Sequence, residues 1–245
     1  MPLFAILAVS AFVTSFISGI LGMAGGMILM GILLALMPLP SAMLLHGVTQ
    51  LASNGWRALL WRREVAWRVF RGYALGAVAA LAAFAALQVV VSKPVSLVAM
   101  GATPFLALAL PERLHLNVER RGHPLACGAI CSALSLMAGV SGPILDVFFV
   151  RSQMTRHRVV ATKAMTQSFT HLLKIAYFGG LVATSRGNVD PWLAGTMIAL
   201  AFAGTSASRG VLERMNDRVF RAATRWTVMA VGLFYLGNGL VMLLR

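Results

Sequence analysis

The sequence predicts an all-α polytopic membrane protein made of two inverted repeats, each a Gly-broken helical hairpin followed by three transmembrane helices. Three observations lead to this prediction: an apolar composition, a set of long apolar runs, and an internal duplication of two motifs. Of the 245 residues, 59% are hydrophobic and 11% are charged, and the mean hydropathy is +0.81. Soluble globular domains carry about 25% charged residues. The composition therefore indicates an integral membrane protein.

Long apolar runs divide the chain into segments of the length that a bilayer requires. A transmembrane helix needs about 20 apolar residues, whereas the strands of an outer-membrane barrel would give short segments of alternating polarity. The runs are too long and too uniformly apolar for such strands, so they predict a helical bundle. They lie at residues 2–39, 42–61, 69–91, 94–111, 124–150, 159–183, 191–208 and 224–244.

The first of these runs is too long to be one transmembrane helix. As a single helix, residues 2–39 would extend about 57 Å, against a hydrocarbon core of about 30 Å. The glycine cluster at residues 22–26 (GMAGG) predicts a break, and residues 138–142 (AGVSG) form a counterpart in the second half. The tripeptides that follow, at residues 27–29 and 143–145, are also similar. The broken segment therefore occurs twice.

A polar block also occurs twice inside apolar runs, at residues 49–57 and 166–174. Each block begins with Thr-Gln and continues with a hydroxyl residue, an amide or imidazole, and a cation. Positions i, i+4 and i+7 of a helix share one face, so each block projects hydrogen-bond donors and a positive charge in one direction. Together with the glycine clusters, the blocks indicate an internal duplication.

The connections richest in Lys and Arg predict the orientation, because cytoplasmic loops carry the excess of these residues. All four such connections cannot be cytoplasmic if run 124–150 crosses the membrane once, since its two ends would then lie on opposite sides. The conflict disappears if this run enters and returns as a broken hairpin, with its tip near residues 140–142. The basic connections are residues 57–71, 112–123, 151–163 and 209–225.

If run 2–39 is likewise a broken hairpin, the two halves have opposite orientations in the membrane. The predicted divisions are an N-terminal repeat at residues 1–111, a cytoplasmic linker at residues 112–123 and a C-terminal repeat at residues 124–245. Residues 2–22 are long enough to cross alone, which leaves uninterrupted eight-span topology with parallel repeats as the alternative. Inverted repeats are typical of secondary transporters, which bind substrate at the bilayer midplane between interrupted helices.

The glycine clusters and polar blocks predict an anion site. The second arm of each hairpin is expected to begin near Met27 or near Pro143, and a helix N-terminus favours anions. Proline is favoured at the first helical position, and irregular backbone at this depth is tolerated where it lines a cavity. For each residue alone, packing by small residues or polar contact between helices is the alternative. The predicted substrate-binding residues are Gly25, Gly26, Thr49, Gln50, Ser53, Asn54, Arg57, Ser141, Gly142, Pro143, Thr166, Gln167, Thr170, His171 and Lys174.

Arg57 and Lys174 supply the positive charges of the predicted site, because a cation inside an apolar run must pair or face a cavity. Arg57 has the alternative of extending to the cytoplasmic surface. Asp146, the one carboxylate inside an apolar run, is the candidate for proton coupling. Its alternative is a structural ion pair with Arg151 or Lys174. His171 can also carry a proton near neutral pH.

The remaining histidines, the cysteines and the net charge do not extend the predicted site. Cys127 and Cys131 lie one helical turn apart without a partner pair at ligand spacing. They are interpreted as small packing residues, with a metal or redox role as the alternative, and no cofactor is expected. The net charge of +14 lies in short loops, which favours contact with anionic lipid headgroups and excludes a nucleic-acid partner. The histidines interpreted as interfacial residues are His46, His115, His123 and His157.

The duplicated motifs resemble those of a known family. Residues 19–29 (GILGMAGGMIL) with residues 47–54 (GVTQLASN), and residues 138–145 (AGVSGPIL) with residues 156–178, are similar to the two halves of the TauE/SafE family of sulfite and sulfonate exporters. The resemblance extends over essentially the whole chain. It implies a multispan bacterial or archaeal carrier of small anions such as sulfite, sulfonates or related organosulfur compounds.

The expected function is secondary transport of a small anion held at the midplane between the two repeats. The membrane potential, negative inside, favours exit of anions by about 2.3 kcal/mol per charge per 100 mV, so export requires no co-ion, whereas uptake, the alternative, requires coupled protons or cations. The alternatives are an anion channel and a membrane-embedded enzyme, although an enzyme would require a nucleophile with an oriented base or a metal cluster. The expected location is the bacterial cytoplasmic (inner) membrane, and the sequence is compatible with a homo-oligomer.

Overall fold

The computed structural model describes residues 2–111, 114–184, 189–214 and 217–244, and these residues form an all-α protein without β-strands. The predicted helical class is therefore confirmed. A single turn of 3-10 helix, Arg62–Glu64, follows the third α-helix. The α-helices are α1 (Pro2–Leu21), α2 (Ala24–Leu36), α3 (Leu39–Leu60), α4 (Trp67–Leu87), α5 (Lys93–Ala109), α6 (His123–Ala138), α7 (Gly142–Phe149), α8 (Arg156–Thr184), α9 (Pro191–Ala207), α10 (Arg209–Arg214) and α11 (Asp217–Leu243).

Both long runs break at a glycine with left-handed backbone. Gly22 has φ of 68° and Gly139 has φ of 78°, a conformation that costs glycine little because it has no Cβ. These two glycines hold the same relative position in the two halves of the chain. Helix α7 begins at Gly142, next to the predicted start. Helix α2 begins at Ala24, earlier than the start predicted near Met27, because the left-handed turn is completed at Gly22.

Helices α6 and α7 form a hairpin whose two ends lie together. The backbone N–H of Val118, before α6, donates to Phe148 O near the end of α7 at 3.0 Å. The backbone N–H of Gln153, after α7, donates to Glu119 Oε2 at 2.6 Å. The chain thus enters α6 and leaves α7 at the same end of the molecule, as the distribution of Lys and Arg requires.

The two halves of the chain pack against each other in a reciprocal pattern. Helix α1 lies against α9, α4 against α6, α3 against α8, and α5 against α11. The corresponding helices of the two halves are α1 and α6, α3 and α8, α4 and α9, and α5 and α11. When each helix is replaced by its counterpart, the same four pairs of helices result. The core of the protein therefore lies between the halves, and each half completes the packing of the other.

Helices α3 and α8, which contain the two polar blocks, run antiparallel. Gly179, near the end of α8, lies next to Leu44, near the start of α3. At the other end, the Trp61 and His157 rings lie 4.8 Å apart between centroids. Helices α5 and α11 are antiparallel in the same way. Corresponding helices of the two halves therefore point in opposite directions where they meet.

The outer surface of the bundle is apolar and its interior contains many polar side chains. Large apolar residues are exposed on several helices, among them Leu75, Leu87, Trp192 and Phe234, whereas serines, threonines and a lysine are buried inside. Three described helical segments have the length and composition to cross a membrane. They are Pro2–Leu21, Trp67–Leu87 and Ala222–Leu243. This distribution is that of a multi-pass membrane protein.

We expect Gly139→Ala to destabilise the protein more than Gly22→Ala. Each substitution places alanine in left-handed backbone, which costs about 1–2 kcal/mol. A Cβ at residue 139 would also lie 2.6 Å from Met30 Sδ, whereas one at residue 22 meets nothing within 4 Å. Thermal unfolding in detergent measures the difference, with Gly180→Ala inside α8 as the control that should not destabilise. Equal losses at positions 22 and 139 would contradict this prediction.

Candidate substrate-binding site

The two helix breaks meet beside the middle of α3 and α8 and enclose a small cavity. A Cβ built on Gly142 would lie 2.5 Å from Met23 Cβ, so the second break touches the first. The cavity has a volume of about 30 Å³, which suffices for about two water molecules. Its lining residues come from both hairpins and from both polar blocks. They are Ser18, Gly22, Met23, Gly26, Met27, His46, Gln50, Asn54, Val140, Ser141, Gly142, Gln167 and His171.

Equivalent positions of the two polar blocks line this cavity. Gln50 and Gln167 are the second residues of their blocks, and Asn54 and His171 lie one helical turn further along. Each pair therefore projects from one face of its helix, as the i, i+4 spacing predicts. The structure brings together a subset of the predicted substrate-binding residues at the cavity: Gly26, Gln50, Asn54, Ser141, Gly142, Gln167 and His171.

The threonines that begin the two blocks lie outside the cavity lining. Thr49 Oγ1 donates to Leu45 O at 2.8 Å, and Thr166 Oγ1 donates to Lys163 O at 2.9 Å. Both hydroxyl groups are thus bonded to the backbone of their own helix. Their positions are rotated by about 100° from the glutamines that follow them, which explains why they face away.

The hydroxyl residues four positions after these threonines join neighbouring helices. Ser53 Oγ lies 2.7 Å from Thr205 Oγ1 of α9, and Thr170 Oγ1 lies 2.7 Å from Tyr73 OH of α4. Helices α4 and α9 correspond to each other in the two halves, so the same pairs of helices are joined, although Tyr73 lies near the start of α4 and Thr205 near the end of α9. At these positions the structure has the polar contacts between helices that were the alternative to substrate binding.

Three further predicted residues lie near the breaks without lining the cavity. Gly25 packs against α1, where a Cβ would collide with Thr14 O. Pro143 is buried in the first turn of α7. Arg57 is half-buried and its Nη2 donates to Ser18 O, near the end of α1, at 3.3 Å. Arg57 therefore links α3 to the end of α1, next to the first break.

A chain of hydrogen bonds through His46 and Lys174 connects the two breaks. The Nε2 atom of His46 lies 2.9 Å from Gly26 O, and its Nδ1 atom lies 2.6 Å from Lys174 Nζ. Lys174 Nζ also donates to Gly139 O at 3.0 Å. Because a lysine ammonium has no acceptor, Lys174 donates to Nδ1, and Nε2–H then donates to Gly26 O. Each break is thereby held by a side chain from a polar helix.

His46 is a functional candidate that the sequence interpretation missed. The sequence predicts an interfacial position for His46, whereas in the structure only 1% of it is exposed and it lines the cavity. The edge of its ring contacts the ring of His171, with 5.5 Å between centroids. The available signal was its position one helical turn before Gln50, on the face that also carries Asn54.

Among the residues that the structure describes, two polar atoms at the cavity are buried without a hydrogen-bond partner. They are Gln50 Nε2 and His171 Nδ1. The Gln50 side chain is held at its other atom, because Oε1 accepts from Asn54 Nδ2 at 3.3 Å. A buried donor without an acceptor costs about 1–3 kcal/mol. An acceptor placed in the cavity would remove this cost.

Two helix N-termini lie at the cavity and add backbone donors. Helix α2 follows Met23 and helix α7 follows Ser141, and neither residue forms a side-chain cap hydrogen bond. The first-turn N–H groups of a helix have no intrahelical partner and carry about half a positive charge. The breaks therefore present donors and positive potential to the same small volume.

The charge balance around the cavity favours an anion. None of the described lining residues is acidic. Lys174 is fully buried and behind His46. Asp146 forms an ion pair with Lys163, a partner not considered from the sequence, and its side chain is 40% exposed. Asp146 is not among the lining residues, so its negative charge does not enter the cavity.

The described residues contain no group of three or more His, Cys, Asp or Glu that could hold a metal ion. Cys127 and Cys131 are buried free thiols with 4.0 Å between their sulfur atoms. They pack with Tyr73 and Phe148 in the core between α4, α6 and α7. This is the packing role that the sequence favoured for them.

A family model described as "Sulfite exporter TauE/SafE" matches residues 7–235. The chain belongs to the TauE/SafE family. The resemblance noted in the sequence is thereby confirmed over nearly the entire chain. TauE/SafE proteins are membrane transporters of sulfur-containing anions rather than enzymes, which agrees with a multi-pass helical bundle. No curated protein and no solved structure gives a significant match.

Proposed function

We propose that this TauE/SafE protein is a secondary transporter that exports a small anion, namely sulfite, a sulfonate or a related organosulfur compound. The observation that carries the proposal is the cavity between the helix breaks, where buried polar atoms lack partners and no described lining residue is acidic. A sulfite or sulfonate group presents several oxygen acceptors and a negative charge in a compact volume. It would satisfy Gln50 Nε2 and the uncapped N-termini of α2 and α7 together.

The proposed binding position is the bilayer midplane between two inverted repeats, residues 1–111 and 124–245. The antiparallel packing of α3 on α8 supports this topology, because a twofold axis in the membrane plane reverses corresponding helices. The position of the cavity beside the middle of both helices supports the depth. Single cysteines at Gln88 and Gly210, which follow α4 and α9, should react with impermeant reagents from opposite sides. Labelling from the same side would contradict inverted repeats.

The proposed mechanism is alternating access at the two hairpins. A volume of about 30 Å³ is too small for a sulfonate with an organic tail, so binding requires the breaks to move apart. Movement of the first hairpin would open one side, and movement of the second would open the other. The membrane potential favours anion exit by about 2.3 kcal/mol per charge per 100 mV, so export needs no coupled ion.

Transport by the purified protein in vesicles tests the proposed function. Sulfite, sulfoacetate, taurine, sulfate and simple carboxylates are compared at controlled potential and pH. We expect saturable flux with a preference for a sulfur oxyanion, and exchange of internal for external substrate. Flux that does not saturate and shows no exchange would indicate a channel. Absence of flux for every sulfur oxyanion would contradict the proposal.

We propose that any proton coupling uses Asp146, whose carboxylate lies on α7 one turn beyond the cavity residue Gly142. Protonation of the Asp146 carboxylate would break its ion pair with Lys163. Asp146→Asn should then remove the response of flux to a pH gradient while flux driven by potential remains. Glu64→Gln, which removes an exposed carboxylate elsewhere, is the control. An unchanged pH response in Asp146→Asn would exclude this role.

The proposed location is the bacterial cytoplasmic membrane, with the four Lys- and Arg-rich connections inside the cell. This assignment is supported by the hairpin contacts that bring the loops before α6 and after α7 to one end of the molecule. Anionic phospholipids are abundant on such a face and attract basic loops.

A further inference from the structure

A second and larger pocket lies at the end of the molecule where α4, α6 and α8 begin. Its volume is about 580 Å³, and it is separate from the central cavity. One acidic residue, Glu119, lies in its lining and accepts a hydrogen bond from Gln153 N. The pocket is otherwise bordered by positive charge from exposed arginines. These are Arg68, Arg120, Arg121 and Arg158.

The guanidinium groups of these four arginines are free to bind a ligand. In the part of the chain that the structure describes, no guanidinium group of these arginines forms an ion pair or a hydrogen bond. The N-termini of three helices add to the positive potential. Of these, α4 and α6 have no side-chain cap hydrogen bond at their N-caps. A strongly positive pocket without a described counter-charge other than Glu119 indicates an anionic ligand.

The inner wall of the pocket is apolar and continues towards the surface that faces lipid. Val69 and Val118 are buried in this wall, and Leu125 at the start of α6 is 50% exposed. Beyond the pocket, α4 and α6 expose further apolar side chains such as Leu75 and Ile130. A ligand with an anionic head and an apolar tail would match both parts. A soluble phosphate would leave the apolar wall uncovered.

We propose that this pocket binds the phosphate headgroup of an anionic membrane lipid, such as phosphatidylglycerol or cardiolipin. The arginines bind the phosphate oxygens, for which their planar donor geometry is suited. The acyl chains lie along the exposed apolar side chains of α4 and α6, such as Leu75 and Ile130. Because α4 and α6 come from different halves of the chain, the bound lipid contacts both halves at once.

Thermal unfolding of the delipidated protein in neutral detergent tests this site. Cardiolipin, phosphatidylglycerol, phosphatidylcholine and inorganic phosphate are titrated separately. We expect a saturable rise of the unfolding temperature with the two anionic lipids and little effect of the other two. In Arg120→Gln/Arg121→Gln, the apparent affinity for cardiolipin should fall at least tenfold, since each arginine near a lipid phosphate contributes about a fivefold factor.

The matched control is Arg62→Gln/Arg63→Gln, which removes the same charge from an exposed turn that does not line the pocket. It should retain wild-type affinity for cardiolipin. Equal loss in both double variants would show unspecific attraction by surface charge and would overturn the proposal. If inorganic phosphate raised the unfolding temperature as much as cardiolipin does, the proposal that the ligand is a lipid would be overturned. Unfolding without lipid verifies that the variants are folded, and Arg68→Gln serves as a second variant if the first pair is not.

Discussion

Replacing Lys174 with methionine should reduce transport of the best sulfur oxyanion roughly 30-fold while the protein remains folded. Lys174 is fully buried and donates to His46 Nδ1 and Gly139 O, and no described acidic residue lines the adjoining cavity. The transported anion would therefore supply its counter-charge. A unit charge one imidazole ring away contributes on the order of 2 kcal/mol at an effective dielectric constant near 20, which corresponds to the expected loss.

Methionine keeps most of the volume of lysine, so this variant separates charge from packing. Methionine leaves His46 Nδ1 and Gly139 O without their donor, which costs about 1–3 kcal/mol for each unsatisfied buried group, but it also removes the cost of burying the lysine charge. Lys174→Ala loses the same donor and adds a cavity, so it should be less stable than Lys174→Met. Lys93→Met, at the start of α5 and away from the cavity, is the control for the loss of a lysine. Full flux in a folded Lys174→Met protein would exclude Lys174 from the substrate site.

Replacing either cavity glutamine with alanine should raise the KM for the anion about tenfold or more with little change in stability. Gln50 and Gln167 hold equivalent positions of the two polar blocks, and both line the cavity. A hydrogen bond to a charged group contributes about 1.5–3 kcal/mol. Among the described residues Gln50 Nε2 has no partner. Asn54 Nδ2 would lose Gln50 Oε1 but keep its 3.0 Å bond to the backbone Gln50 O, so removal of this side chain costs the folded state little.

The threonines that precede these glutamines provide matched controls. Thr49→Val and Thr166→Val alter the neighbouring residue of the same helix and remove hydroxyl groups that bond only to their own helix in the described structure. Both variants should transport with wild-type KM. A similar rise of KM in the threonine and glutamine variants, measured as initial rates in vesicles, would show that the blocks act through packing rather than through contact with substrate.

The elements that could be predicted from the sequence are those with local signals. A left-handed turn favours glycine, so the breaks at Gly22 and Gly139 followed from the glycine clusters and the length of the apolar runs. The i, i+4 rule predicted that Gln50 and Asn54 share a face, and likewise Gln167 and His171. The duplication reinforced both signals, because each motif occurs in two places with the same order of residue types.

The features that the sequence did not reveal depend on contacts between distant residues. His46 has no histidine at the corresponding position of the second block, where Lys163 stands instead, so the duplication did not point to it. The face rule also left open which polar residues line a cavity and which, like Ser53, bond to a neighbouring helix. The arginine pocket unites loops that are far apart in the chain, and no local pattern predicts their meeting.

The opposite directions of α3 and α8 constrain how the chain is inserted into the bilayer during synthesis. Their ends near Trp61 and His157 meet at one end of the molecule, so in the proposed inverted-repeat topology the translocation machinery would insert the two halves with opposite orientation. In that proposed topology, each half would use its own arginine-rich loop as the signal that sets its orientation. A shorter ancestral gene that encoded one half could form the same pairing only if its product inserted in both senses and dimerised.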